Sequence, residues 1–451
     1  MELYDIAPNR GGLIFCAPTH KAASTLAQRG LKGVCTLKSL LYAPVFQPIV
    51  HEALEALADD EPGDWPDGFP YPGAKAPAGP KWARARAALN VDGERGAFEA
   101  LEFDLLKWID ITQGRQGWTA KTDARYAVVF LDEAGQVPAE QVEDLRQRCD
   151  RLILLGDYGQ NKPIATTEDR EARRAQGKDL SGLFSALHPQ SLERLDAKVM
   201  RLHRNFRSAN RIADVPGVVE RSGSLRDFNN WVAKLPENER GCFEFHFDAE
   251  PPLEPMRKGA PLFVLSHQTR LWQNRLFLER ARLVQDFARP DNLVAPGMVV
   301  VVGLVRNQAV AAAAPLSLVK GSRWIVREAD GGGRCTIENL TKPGTFLHGV
   351  RLRLAEFDDK YTAAYAESQG HAYPAIGVPL YSSDVVGRLG HAMVYATAQS
   401  DTVDEVVVET SGIDWKCWRG LTEADGAPAW KSDLVTCIGR ARFVAHLWNG
   451  R

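Results

Sequence analysis

The chain has 451 residues with 45% hydrophobic and 25% charged side chains, an ordinary globular composition that is too long for one compact core, so we expect two or three domains. Its net charge of -2 neither indicates nor excludes nucleic-acid binding, because such proteins use local charged patches. The seven cysteines form no CxxC pair, which argues against a zinc site and disulfides and for a cytoplasmic protein. No run of about 18 apolar residues and no signal-type N-terminus occurs, which argues against membrane insertion.

The first predicted element is a strand at Leu13–Ala17, which leads into PTHKAA, beginning at Pro18, and then a helix. A second block at 34–42 reads VCTLKSLLY. Residues 45–122 are predicted to be an insertion of helices around a long loop rich in Pro, Gly and Asp at 59–80.

Two short apolar runs, Ala127–Leu131 and Leu152–Leu155, each end in or near an acidic residue. Such runs are typical of parallel strands that are buried on both faces. Asp132 and Glu133 follow the first run, and GDYGQNKP follows the second. Ligands of open α/β sheets bind at the carboxyl ends of the strands, so these segments predict a binding edge.

The residues after these strands are suited to nucleotide hydrolysis. Asp132 would hold Mg²⁺ on the phosphates, Glu133 would position the attacking water, and Gln160 would sense the γ-phosphate. The alternative is two buried strands with solvated turns. An acidic pair after the first strand and GDYGQ after the second favour the functional interpretation.

This pair resembles motifs II and III of superfamily 1 helicases, in particular the RecD-like and phage Dda-like branch with a UvrD-type C-terminal domain. The resemblance implies an α/β fold: two RecA-like P-loop NTPase-type domains with parallel sheets, at 1–250 and 251–451, a helical and loop insertion, and a small SH3-like β insertion at 296–356. It also implies ATP, Mg²⁺ and a single strand of DNA or RNA as partners, and it assigns Gly156 and Asp157 to nucleotide binding.

Other segments match further motifs of this family in the expected order. CAPTHKAASTL and VCTLKSLLY resemble the motif Ia region, which implies strand contacts from five residues: Pro18, Thr19, His20, Thr36 and Lys38. HQTRLWQNRLF resembles NxTRxxxN and implies a strand contact from Thr269. The alternatives are a strand–turn–helix with a polar cap and an ordinary amphipathic helix.

VMRLHRNFRSANRIAD at 199–214 resembles LxxNYRS, which implies that Arg207 reaches the γ-phosphate and that Arg204 lies near the nucleotide. A basic surface helix is the alternative. FDDKYTAAYAESQG at 357–370 resembles motif V, with Ser368 on the nucleic acid and Gln369 and Gly370 on the nucleotide.

Two departures from the family concern the handling of phosphate. HAMVYATAQSDT at 391–402 resembles the motif VI pattern LLYVALTRA, but the arginine of that pattern falls on Ser400, and Arg388 is the nearby candidate to replace it. No GxxGxGK[ST] loop occurs, and the only Gly-Lys pair is Gly177-Lys178. That loop supplies the N–H groups and lysine that hold phosphates.

Two functional hypotheses follow. In the first, the chain is a helicase core whose phosphate loop is supplied upstream. In the second, it is a catalytically inactive homologue that binds nucleic acid or replication proteins. The changes at Ala364, Ala366 and Ser400 favour the second, so we expect this chain alone to be inactive. We also expect a monomer in the cytoplasm, or in the host cytoplasm if the source is a virus or phage.

Overall fold

The structure is a computed structural model that describes residues 12–44, 83, 86–87, 118–121, 125–160, 162–163, 167–200, 210–283, 294–305, 307–313, 318–331, 334–354, 376–377, 383–395 and 402–450. Several predicted site residues lie outside these ranges: Arg204, Arg207, Ser368, Gln369, Gly370 and Ser400. So does nearly all of the predicted insertion at 45–122.

The first unit is a parallel sheet with helices. Its strands are β1 Leu13–Ala17, β2 Cys35–Thr36, β3 Tyr42–Pro44, β4 Trp118–Ala120, β5 Tyr126–Leu131 and β6 Cys149–Leu154. Its helices are α1 His20–Gln28, α2 Leu37–Leu41, α3 Ala139–Arg146, α4 Thr167–Ala175 and α5 Pro189–Arg194. Four strands pair in parallel in the order β2-β1-β5-β6, and β3 and β4 form a separate antiparallel pair.

The apolar residues of β1 and β5 explain why these strands lie inside the sheet. Val129 and Leu131 are fully buried, as is Cys16 on the neighbouring strand. In the described residues β6 forms the edge of the sheet, and Leu155 just beyond it is 45% exposed.

The second unit is also built on a parallel sheet. Its helices are α6 Val215–Arg221, α7 Leu225–Ala233, α8 Glu237–Arg240, α9 Leu253–Arg257 and α10 His267–Arg280, and α11 Gln308–Ala313 belongs to the β module described below. Further along the chain come α12 Thr410–Trp418 and α13 Ala429–Ile438. Strand β7 is Phe243–His246 and β8 is Leu262–Val264.

The remaining strands are β9 Val299–Val305, β10 Arg323–Ala329, β11 Arg334–Asn339, β12 Phe346–Leu354, β13 Ile376–Gly377, β14 Val385–Leu389, β15 Ala392–Val394, β16 Val403–Glu409 and β17 Ala441–Trp448. The second parallel sheet has the order β15-β8-β16-β17-β7. The α/β fold with two parallel sheets is therefore confirmed. Because β7 belongs to this sheet, its strands begin before the predicted division between 250 and 251.

The predicted β insertion is present and is larger than expected. Strands β9 to β14 form one sheet in the order β11-β10-β9-β14-β12-β13, and β11 also pairs with β12, which closes a small barrel. Its strands lie between 299 and 389, whereas the sequence predicted the insertion at 296–356. The segment 357–370, assigned from sequence to motif V of the second parallel domain, thus connects two strands of the barrel along the chain.

Two cores flank the second sheet. On one side, apolar residues of β8 pack with the barrel, including Leu262 and the fully buried Trp324. On the other, α6, α7 and α13 pack on β16 and β17 through residues such as Phe228 and Leu434. Within the described residues, no helix has the length and hydropathy needed to cross a membrane.

Candidate functional site

The acidic pair lies at the carboxyl end of β5, as predicted. The backbone of Glu133 is left-handed (φ 53°, ψ 35°), a conformation that costs a non-glycine residue about 1–2 kcal/mol. The turn is held because the Ala134 N–H donates to the Leu155 carbonyl at 2.8 Å. Gln136 Nε2 donates to Glu133 Oε2 at 3.0 Å, which orients the carboxylate.

Two glycines allow the ends of β5 and β6 to approach each other closely. A Cβ on Gly135 would lie 2.9 Å from the Asp157 carbonyl oxygen, and one on Gly156 would lie 3.1 Å from the Ala134 nitrogen. Atoms this close overlap, so the two loops could not keep this separation with larger residues. The glycine that the sequence analysis assigned to nucleotide binding thus has a packing role here.

Asp157 organises the loop after β6. Its carboxylate accepts the Gly159 N–H at 2.9 Å and the Gln160 side-chain amide at 3.1 Å. With its NH₂ group held by Asp157, Gln160 presents its carbonyl oxygen away from the loop. That oxygen accepts a hydrogen bond from the guanidinium of Arg440 in the second unit.

Arg440 lies between α13 and β17 and is only 1% exposed. Its Nε also donates to the Thr436 carbonyl at 3.3 Å. The sequence analysis missed this residue, although a signal was present. Residues 433–441 read DLVTCIGRA, which matches the leucine, arginine and alanine of LLYVALTRA at Leu434, Arg440 and Ala441. The structure therefore brings Arg440 to the cleft, whereas Arg388, the candidate named from sequence, pairs with Val301 inside the barrel.

A buried ion pair joins the loop after β6 to the loop between α12 and α13. Lys162 Nζ lies 2.6 Å from Asp425 Oδ2, with the two side chains 8% and 1% exposed. The Tyr158 hydroxyl donates to the same carboxylate oxygen at 2.8 Å. Burial and then this hydrogen bond raise the pKa of Tyr158. Burial alone would raise the pKa of Asp425, but the contacts from Lys162, the Ala427 N–H and Tyr158 outweigh it and lower that pKa.

A polar cavity of about 250 Å³ lies between α1, the acidic pair, the barrel and β17. Its charged lining consists of Lys21, Arg29, Asp132, Glu133, Arg440 and Arg442. Four of these side chains are basic and two are acidic, which leaves a formal charge of +2. The barrel adds Val319, Ser322 and Thr341. A cavity with this lining favours an anionic ligand, and its carboxylates offer the oxygen ligands that Mg²⁺ prefers.

The residues predicted to contact a strand lie mainly at helix starts. The Thr19 hydroxyl accepts the Ala22 N–H at 3.1 Å and caps α1, and the Thr36 hydroxyl accepts the Ser39 N–H at 3.2 Å and caps α2. The polar-cap alternative is therefore correct for both hydroxyls, and their role toward a strand stays a prediction. Thr269 lies in the first turn of α10, where the capping Ser266 hydroxyl accepts its N–H at 3.1 Å.

The other members of this set differ in exposure. Pro18 is half-buried, while His20 and Lys38 are exposed. Desolvation, and then Lys320 on the barrel, lower the pKa of His20. Desolvation also lowers the pKa of Lys38.

The only Gly-Lys pair of the sequence has a structural explanation. Gly177 (φ +67°) follows α4, and the N–H groups of Gly177 and Lys178 donate to the Arg174 and Arg173 carbonyls, both at 3.0 Å. This is a helix C-terminal cap. The pair is therefore not a phosphate-binding loop.

The chain is similar to Pif1 helicases of known structure. Comparison with Pif1 from Candida albicans gives 13% identity over 97% of this chain and 91% of that chain, with a TM-score of 0.37. Bacteroides Pif1 bound to ssDNA gives 11% identity over 97% and 89%, with a TM-score of 0.41. A Pif1 structure concerned with unwinding at forked dsDNA gives 13% over 97% and 82%, with a TM-score of 0.42.

No family model and no curated protein matches the chain. The likeness to these Pif1 structures is distant, at 11–13% identity.

Proposed function

We propose that this chain is a superfamily 1 helicase-like protein that binds a single nucleic-acid strand, and that its central cleft is shaped for a magnesium-bound polyphosphate. The observation that carries the proposal is the contact of Arg440 with Gln160 at the cavity that also holds Asp132 and Glu133. An acidic pair, a glutamine and an arginine from the two units are groups that phosphoryl-transfer sites bring together.

Each group has a distinct role in this proposal. Asp132 would hold Mg²⁺ through its carboxylate, and Glu133 would accept a hydrogen bond from the attacking water. Arg440 and Arg442 would face the charge on the terminal phosphate. Gln160 would link a ligand in the cleft to the second unit. Its NH₂ group donates to the Asp157 carboxylate, and its carbonyl oxygen accepts from the Arg440 guanidinium.

ATP turnover by this chain alone is expected to stay near background. The sequence contains no glycine-rich loop with a lysine to hold the β-phosphate, and Gly177-Lys178 caps a helix. The activity that we propose for the isolated chain is therefore strand binding, with hydrolysis requiring a phosphate loop supplied from elsewhere.

Strand binding is tested by fluorescence anisotropy with labelled oligo-dT and oligo-U at low salt. We expect modest, sequence-tolerant binding that weakens as salt rises, since phosphate contacts dominate. Lys38→Glu, beside the cap of α2, should weaken it. The matched control is Lys234→Glu, an exposed lysine at the end of α7. If no binding occurs, or if both variants bind like the parent chain, the proposal is wrong.

A further inference from the structure

A second polar cluster lies on the neighbouring strands β7 and β17 of the second parallel sheet. These strands are parallel neighbours in which Glu244 pairs with His446 and His246 pairs with Trp448. Glu244 and His246 are two residues apart, so their side chains point to the same face of the sheet. Both reach the ring of His446, and the three ligand-type atoms lie within 4.8 Å of one another.

The distances within this cluster match the coordination shell of a small cation. His446 Nδ1 lies 3.1 Å from His246 Nε2 and 3.0 Å from Glu244 Oε2, and the third side, His246 Nε2 to Glu244 Oε2, is 3.8 Å. The circle through the three atoms has a radius of about 1.95 Å, so a point just outside their plane is about 2.0–2.1 Å from each. These are the Zn–N and Zn–O distances of protein zinc sites.

The buried ring of His446 is oriented by a fourth residue. His446 is 4% exposed, and its Nε2 lies 3.1 Å from Glu405 Oε2 on the adjacent strand β16. Glu405 can only accept, so the proton belongs on Nε2, and the neutral ring then presents the Nδ1 lone pair to the carboxylate of Glu244. Two acceptors 3.0 Å apart repel each other unless a proton or a metal ion lies between them. A carboxylate behind a histidine is also the usual support of a metal-bound imidazole.

We propose that Glu244, His246 and His446 bind one Zn²⁺ ion, with Glu405 orienting His446 and water completing the tetrahedron. Two carboxylates and two neutral imidazoles balance the charge of a divalent cation, and nitrogen with oxygen ligands suits zinc. The ion links the edge strand β7 to β17, so its role is to stabilise this edge of the sheet. The cysteine spacing gave no sign of this site, because its ligands are histidine and glutamate.

The competing occupant is a proton, which would make His446 an imidazolium between two carboxylates. Zinc titration by calorimetry, on the full chain after treatment with a chelator, distinguishes the two. We expect the parent chain to bind one Zn²⁺ at this site and its melting temperature to rise with Zn²⁺. Co²⁺ in its place should give the strong visible absorption of a tetrahedral site.

The variants are placed at the accessible ligands, since His446 is buried. The side chains of His246 and Glu244 are 24% and 52% exposed, so His246→Gln and Glu244→Gln should fold, and both should abolish the site. Glu405→Gln does not touch the ion and should weaken binding by about 10–100-fold. His348→Gln, an exposed histidine on the barrel, is the control that should change nothing.

All seven cysteines are retained in every variant, so zinc bound by thiols does not change across the series. Zinc binding and thermal stabilisation that are equal in the parent chain, His246→Gln and Glu244→Gln would overturn the proposal. So would a folded parent chain that binds no zinc, which would assign the position to a proton.

Discussion

The guanidinium of Arg440 and the side-chain carbonyl of Gln160 are joined by a hydrogen bond although the residues are 280 positions apart in the chain. Arg440 comes from the turn before β17 in the second unit, and Gln160 comes from the loop after β6 in the first. This contact makes the two units one polar site. Removal of the buried guanidinium should therefore change the free energy of unfolding.

We predict that Arg440 and Gln160 are energetically coupled. Arg440→Ala should lower the free energy of unfolding by about 2–3 kcal/mol, because a hydrogen bond to a charged group contributes about 1.5–3 kcal/mol. Gln160→Ala should have a smaller effect. A double-mutant cycle by denaturant unfolding should give a coupling of at least about 0.5 kcal/mol. Arg442→Ala, whose side chain is 51% exposed, is the control, and a cycle that is additive would contradict the contact.

The Lys162–Asp425 pair should make stability depend on acid. Lys162→Ala leaves a buried carboxylate without its cation and should cost about 3–5 kcal/mol at neutral pH. The pKa of Asp425 is lowered from its ordinary 3.8, so its contribution is complete above pH 3.8 and is lost as the pH falls through the folded-state value. Melting curves of the parent chain and Asp425→Asn should therefore converge at low pH. Asp150→Asn, at an exposed pair, is the control, and curves that stay parallel would exclude this role.

Substitution of Gly135 should disturb the junction of β5 and β6. A Cβ there lies 2.9 Å from a backbone oxygen, which has no room to rotate away. Gly135→Ala should cost about 1–3 kcal/mol, as overpacking does. Gly241→Ala has nothing within 4 Å of its Cβ and should be neutral. Thermal unfolding by circular dichroism measures both, and equal melting temperatures would show that the two loops can separate.

Supplying a phosphate loop should reveal which residue provides the catalytic charge. With a glycine-rich loop segment fused ahead of Met1, we expect ATPase stimulated by a single strand. Arg440→Ala in the fusion should then reduce turnover by about 10³–10⁵-fold, the range attributed to such arginines. Glu133→Gln should also abolish it. Steady-state ATPase with DNA and RNA is the measurement.

The same fusion separates Arg440 from the positions named from sequence. Ser400→Arg should add nothing, and Arg388→Ala, in a barrel strand, should leave turnover unchanged. A fusion that hydrolyses ATP only after Ser400→Arg would return the role to residue 400. A fusion as active with Arg440→Ala as without it would exclude Arg440.

The sequence by itself determined the strands and turns whose causes are local. The run before Asp132 predicted a buried parallel strand because its apolar residues are consecutive, and β5 occupies 126–131. The apolar run before GDYGQ predicted a second strand that ends there, and β6 occupies 149–154. The caps at Thr19 and Thr36 depend on neighbours three residues away, which is why one of the alternatives from sequence described them.

Only the tertiary structure decided which distant residues share a site. Arg440 reaches Gln160, Asp425 reaches Lys162 and His446 reaches His246 over separations of 280, 263 and 200 residues. Apart from the motif-like residues around Arg440, their local sequences carry no mark of these partners, because the contacts depend on how parallel strands are ordered and how two sheets pack. The extent of the barrel was not predictable for the same reason, because β12 and β14 are parallel neighbours although they come from either side of a long stretch of sequence.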